Sequence, residues 1–119
     1  MAIRVFATTA AIICVACVVT AAALARSQAT AVAVTAGKPS EFRFTLSKRS
    51  VAKGTVTFTV TNRGALRHDF KIAGKRTPLV GTGKRSTLTV SLGKTGRIAY
   101  LCTVPGHAAA GMKGTLVVK

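Results

Sequence analysis

Apolar and polar residues alternate along much of the chain beyond residue 30, as expected for β-strands with one buried face. In the clearest run, Val56, Phe58 and Val60 alternate with threonines, and β-branched residues favour strands. Weaker or shorter alternation recurs in the ranges 31–36, 42–46, 68–72, 88–92, 98–102 and 116–118. Turns rich in glycine separate these runs, and no helical periodicity follows Ala25. Roughly six to eight short strands at near-regular spacing predict an all-β, antiparallel sandwich.

The first 25 residues follow a different pattern. A short positive start, Met1 to Arg4, precedes an apolar run from Val5 to Leu24, and Ala23-Leu24-Ala25 fits a signal-peptidase site. We therefore expect a signal peptide over 1–25, a mature domain over 26–119, and an exported protein in the periplasm or another extracytoplasmic space. The run also just reaches the length that spans a bilayer, so an uncleaved membrane anchor is the alternative. Lipidation at Cys14 or Cys17 is a lesser one.

Cleavage after Ala25 would leave one cysteine, Cys102, which has no partner for an internal disulfide. An odd thiol in an exported protein indicates intermolecular pairing or a reactive or ligating role. Cys102 begins a Cys-x4-His-x4-Met run, in which His107 follows a Pro-Gly turn and Met112 lies one loop further on. A trigonal set of two histidines and one cysteine with a weak axial methionine is the geometry of electron-transfer copper sites.

Such a site needs a second histidine, and His68 is the only other one in the chain. It shares the parity of Phe70 and Ile72, so we expect its side chain to point inward. Taken singly, these residues have ordinary interpretations as a buried thiol, a core methionine and hydrogen-bonded histidines. Their joint spacing favours a single copper ion with the ligands His68, Cys102, His107 and Met112.

Two stretches also resemble a known family. Residues 100–118 read Tyr-x-Cys-x-x-Pro-Gly-His-x-x-x-Gly-Met-x-Gly-x-Leu-x-Val, and His-Asp-Phe begins at His68. Both are similar to the cupredoxins, the small blue copper proteins, and the ligand loop is most similar to that of rusticyanin and sulfocyanin. The resemblance implies a Greek-key β-sandwich with one copper ion at one end. It also implies an electron port at the edge of His107, formed by Val104, Pro105 and Ala108 to Ala110.

This sequence departs from the cupredoxin pattern at two points. Asp69 stands where many cupredoxins have Asn, so the hydrogen-bond link between the two ligand loops does not carry over by identity. The acidic docking patch of plastocyanins is also absent.

The ligand count limits the function. A multicopper oxidase or a copper nitrite reductase needs further histidines, and the sequence offers no acid–base pair, so we expect an electron carrier and not an enzyme. Two alternatives remain open, a copper chaperone or resistance protein and a basic interaction module that uses the same fold. The chain lacks the richness in methionine or exposed histidine that marks chaperones of exported copper.

Charge is the remaining signal. The chain has 18 lysines and arginines against 2 acidic residues, for a formal net charge of +16. This excess indicates an acidic redox protein as partner, or an anionic membrane or cell-wall surface, although a solvated basic surface accounts for it as well. Nucleic acid is not expected, because one tyrosine and no tryptophan provide no platform for base stacking. We expect a monomer.

Overall fold

The structure, a computed structural model, describes residues 28–119. The predicted signal peptide and Cys14 and Cys17 lie outside the described residues. Within them there is no helix long and apolar enough to cross a membrane. The described chain forms nine strands: β1 (Thr30–Ala36), β2 (Phe44–Leu46), β3 (Ser50–Val51), β4 (Gly54–Asn62), β5 (Lys71–Ile72), β6 (Lys75–Arg76), β7 (Arg85–Leu92), β8 (Gly96–Leu101) and β9 (Lys113–Val118).

The strands form two sheets packed as a sandwich. One sheet has the order β2-β1-β4-β7 and the other β3-β9-β8-β5-β6. The predicted all-β, Greek-key sandwich is confirmed, but the expectation of purely antiparallel pairing is wrong. β1 runs parallel to β4, and β3 runs parallel to β9. Alternation in a sequence shows which face of a strand is buried and carries no information about the direction of its neighbour.

β4 is an inner strand of its sheet, and its sequence explains why. Val56, Phe58 and Val60 are fully buried, while the threonines between them face outward. Thr57 and Thr89 approach each other across the β4–β7 pair with their hydroxyl oxygens 3.3 Å apart. The period of two in the sequence therefore becomes one core face and one hydroxyl-rich outer face.

The core extends from β4 towards one end of the sandwich. Phe70 packs against Phe58 with ring centroids 5.2 Å apart, and against Phe44 at 5.3 Å. His68, Phe70 and Ile72 are all buried, as their shared parity predicts. A histidine is thus held at the end of a continuous apolar core.

Two connecting segments contain short strands that the alternation of the sequence did not predict. The basic loop over 48–54 includes β3, and the glycine-rich stretch over 74–84 includes β6. The second stretch also returns to the ligand region, since Val80 forms a β-bridge with His68. Both strands are only two residues long, too short to produce a visible period.

Candidate metal centre

Two connections bring the predicted ligands together. His68 lies between β4 and β5, where its N–H donates to the carbonyl of Val80 at 3.2 Å and its carbonyl accepts from the Val80 N–H at 2.7 Å. Cys102 directly follows β8, and His107 lies in the turn that leads to β9. The Cys102 segment therefore continues directly from β8, whereas the His68 segment is held by a bridge to Val80, which lies outside the nine strands.

Three donor atoms converge in a buried position. Nδ1 of His68 lies 3.1 Å from Nδ1 of His107, and the Cys102 sulfur lies 3.6 Å from Nδ1 of His107 and 4.0 Å from Nδ1 of His68. His68 and Cys102 are nearly inaccessible, and His107 is 8% exposed. Within the described residues these three form the only cluster of histidine, cysteine and acidic side chains arranged to hold a metal ion.

The spacing of these atoms fits a single copper ion. Donors bound at about 2.0–2.3 Å around a trigonal centre lie about 3.5–4.0 Å from one another. The two sulfur–nitrogen separations, 3.6 and 4.0 Å, fall in that range, and the nitrogen–nitrogen separation of 3.1 Å is slightly shorter. Two imidazole nitrogens and a thiolate are also the donor types that copper electron-transfer sites use. The residues present therefore fit the metal that the sequence predicts.

Met112, the fourth predicted ligand, closes the loop that carries the other two. Its side chain is fully buried. Its carbonyl accepts a hydrogen bond from the N–H of Cys102 at 3.1 Å, and its own N–H donates to the carbonyl of His107 at 3.0 Å. Its backbone is thus bonded to two of the converging residues, and its role as axial ligand stays a prediction.

The turn before His107 depends on Gly106. This glycine has φ +84°, a conformation that side-chain-bearing residues rarely adopt. The N–H of His107 then donates to the carbonyl of Val104 at 3.1 Å. The Pro-Gly pair therefore reverses the chain tightly enough for a histidine five residues after Cys102 to face its sulfur.

Burial dominates the electrostatics of the donors. It raises the pKa of the Cys102 thiol, while the backbone N–H groups of Asp69 and Val104 hydrogen-bond the sulfur and lower that pKa to a smaller extent. Burial also lowers the pKa of His107, and the neighbouring His68 imidazole adds to this effect to a smaller extent. Phe42 covers the His107 ring edge-on, with centroids 5.0 Å apart. Burial therefore favours the neutral form of the His107 imidazole, which is the form that binds metal.

Asp69 preserves the link between the ligand loops that the sequence left uncertain. Its Oδ1 accepts the backbone N–H of Thr103 at 2.6 Å, and its Oδ2 accepts the Thr103 hydroxyl. Arg76 lies at 3.9 Å from Oδ2. Since Asp69 follows His68 and Thr103 follows Cys102, the two loops are joined by residues adjacent to two of the converging side chains.

Glu41 is the site residue that the sequence did not identify. Its Oε1 lies 2.6 Å from Nε2 of His68, on the ring side opposite the donor cluster. The N–H groups of Ala65 and Leu66 donate to Oε2 and Oε1 at 2.8 and 2.9 Å. These two backbone hydrogen bonds, with His68, lower the pKa of Glu41 to about 2 although partial burial opposes them.

Comparison with known proteins agrees with this geometry. Residues 65–119 match the model of a family described as copper binding proteins of the plastocyanin/azurin family. No curated protein matches the sequence.

Solved structures of known proteins have the same fold, and one of them, auracyanin A, is described as a blue copper protein. Rusticyanin from Thiobacillus ferrooxidans is 25% identical, with a TM-score of 0.63 over 75% of this chain and 76% of its own. Auracyanin A from Chloroflexus aurantiacus is 22% identical, with a TM-score of 0.63 over 77% of this chain and all of its own. Auracyanin from Roseiflexus castenholzii is 23% identical, with a TM-score of 0.62 over 77% of this chain and 98% of its own.

Proposed function

Because this chain is a cupredoxin in fold and in donor set, we propose that it is an exported type 1 copper protein that carries single electrons between redox partners. The observation that carries the proposal is the buried convergence of two imidazole nitrogens and one thiol at trigonal spacing. The match of the C-terminal half to a copper-binding family and the similarity to rusticyanin support it.

The residues of the site have distinct tasks. His68, Cys102, His107 and Met112 would hold the ion, which when bound supplies a one-electron couple between its two oxidation states. The bridge with Val80 holds His68, β8 leads directly into Cys102, and the hydrogen bonds of Asp69 join the two loops. A donor set that cannot rearrange suits both oxidation states and keeps the reorganisation small during electron transfer.

The surface next to the site supports docking of a partner. Pro105, Ala109 and Ala110 are exposed around the nearly buried edge of His107. A cavity of about 280 Å³ lies beside this loop, with Leu79, 56% exposed, and Arg76 among its lining residues. An apolar area beside a cation fits a partner that presents an apolar side chain flanked by carboxylates.

The charge of the molecule favours an acidic partner. Every lysine and arginine among residues 28–119 is exposed, whereas both carboxylates of the chain are engaged at the metal centre. Neither acidic side chain is fully exposed, so little negative charge opposes the positive field of the described surface. We propose an acidic redox protein as the partner and a monomeric carrier in the periplasm or another extracytoplasmic space, as the signal-like segment at 1–25 suggests.

A visible spectrum tests this function directly. The purified protein, given copper(II), should bind one equivalent and develop an intense band at about 600 nm from charge transfer between thiolate and copper. Cys102→Ser should remove the band because it removes the thiolate. If the unaltered protein bound copper weakly and without colour, the carrier function would be wrong and a copper chaperone would replace it.

A further inference from the structure

Glu41 hydrogen-bonds His68 at Nε2, the ring nitrogen that faces away from His107 and Cys102. We propose that Glu41 is a positioning residue, which fixes the orientation of His68 and whose negative charge favours the oxidised state of the bound ion. The inference rests on the proposed function, and it assigns a role to a residue that the ligand motif does not contain.

The hydrogen bonds of Glu41 leave its carboxylate little freedom. Oε1 accepts from Nε2 of His68 at 2.6 Å and from the N–H of Leu66 at 2.9 Å. Oε2 accepts from the N–H of Ala65 at 2.8 Å. Three donors from one short segment thus hold both oxygens, and the same carboxylate anchors the loop that leads into His68.

This contact determines which ring nitrogen of His68 carries the proton. An ionised carboxylate only accepts hydrogen bonds, so the nitrogen that faces it at 2.6 Å must be the donor. In the neutral imidazole the lone pair then lies on Nδ1, and it is Nδ1 that faces His107 and Cys102. Glu41 therefore selects the tautomer that can bind a metal, in the arrangement of a carboxylate–histidine–metal triad.

The backbone near Glu41 is shaped to admit the carboxylate. A Cβ atom added to Gly64 would lie 2.5 Å from Oε1 of Glu41. Asn62 holds the same loop from the other side, since its amide donates to the carbonyls of Leu66 and Val80 and its oxygen accepts from the N–H of Gly64. The loop is thus built around the carboxylate as well as around His68.

The charges near the site indicate which oxidation state of the bound ion Glu41 favours. The chain has only two acidic residues, and both hydrogen-bond to the ligand loops. Asp69 has a nearby cation in Arg76 at 3.9 Å, whereas His68 is the only ion-pair partner of Glu41 among residues 28–119. A carboxylate that hydrogen-bonds a ligating imidazole makes it a better electron donor, which favours the more highly charged ion.

The test is the reduction potential of Glu41→Gln. Glutamine keeps the length of the side chain and one accepting oxygen but removes the charge. We expect the affinity for copper(II) to fall relative to that for copper(I) by on the order of tenfold, which raises the potential by about 59 mV for one electron. Asn62→Ala is the matched control, because it loosens the same loop without changing the charge, and its potential should stay closer to that of the unaltered protein.

The outcomes separate the two proposals. An unaltered protein without the blue band would overturn the electron-carrier function and this inference with it. A blue protein whose potential is the same in Glu41→Gln, or shifts equally in Asn62→Ala, would overturn the role of Glu41 alone.

A second measurement needs no variant and covers the case in which Glu41→Gln fails to fold. In the diamagnetic copper(I) protein, nitrogen-15 NMR should show His68 protonated at Nε2, with a downfield proton that exchanges slowly. A proton that exchanges as fast as that of a solvent-exposed imidazole would contradict the contact with Glu41.

Discussion

At the scale of single residues, Asp69 and Glu41 illustrate how the same functional group does two different tasks. Asp69 joins the two ligand loops through Thr103, and Glu41 holds one of those loops against the imidazole it carries. Both act as acceptors for backbone N–H groups, which an ionised carboxylate does more strongly than a neutral amide. The only two carboxylate side chains of this basic chain therefore both hold the segments that carry the predicted metal ligands.

Gly64→Ala tests the close contact with Glu41. The new methyl group would displace a carboxylate that three donors hold, because only 2.5 Å separates it from Oε1. We expect the free energy of unfolding, measured by chemical denaturation, to fall by about 0.5–3 kcal/mol, the usual range for a destabilising substitution. Gly93→Ala is the control, since a Cβ there meets nothing within 4 Å. Equal effects of the two substitutions would argue against a tight contact.

At the scale of elements, the site belongs to the connections and its rigidity belongs to the strands. β4 leads into the segment that carries His68, and β8 ends one residue before Cys102. The N–H of Asn62, at the end of β4, also donates to the carbonyl of Lys84, so the segment after β4 is tied to the one that precedes β7. Loops positioned by a rigid scaffold commonly carry function for this reason.

Phe58→Ala tests how far the scaffold and the site are coupled. Phe58 is fully buried on β4 and packs on Phe70, two residues from His68. We expect a loss of about 3–5 kcal/mol in the free energy of unfolding, from lost burial and the cavity left behind. Thr59→Ala on the outward face of the same strand should cost much less. Copper-loaded samples should also show a broadened blue band in Phe58→Ala, and an unchanged band would mean that the loops hold the site without this contact.

At the scale of the whole molecule, positive charge surrounds the site, and the two carboxylates there, Glu41 and Asp69, are hydrogen-bonded to the ligand loops. The field of such a surface concentrates anionic reaction partners and repels cationic ones before contact. Its range depends on salt, because the Debye length falls from about 30 Å at 0.01 M to about 10 Å at 0.1 M.

Oxidation kinetics of the copper(I) protein test this field. Ferricyanide, an anion, should oxidise the protein rapidly at low salt and more slowly as salt rises, whereas a cationic cobalt complex should show the opposite trend. Both trends should flatten at high salt, where charges are screened. Stopped-flow rates that do not depend on salt for either reagent would place the positive charge away from the electron port and remove the main support for an acidic partner.

The sequence by itself determined the strand class, the inward face of β4 and the identities of the converging residues. These features are local: a period of two is visible within a few residues, and Cys102, His107 and Met112 lie within one short loop. Even His68, distant in the chain, was identifiable because no other histidine could complete the set.

Only the tertiary structure decided what depends on contacts between distant segments. The parallel pairing of β1 with β4 and of β3 with β9 follows from how the chain crosses between sheets, which alternation does not encode. Glu41 lies 27 residues from His68, and nothing in its neighbourhood along the chain marks it as a partner. The link between the two ligand loops is a hydrogen bond from the N–H of Thr103 to Asp69, which joins residues 34 positions apart. Ligand types are a property of residues, whereas the hydrogen bonds that orient those ligands exist only once the sheets have packed.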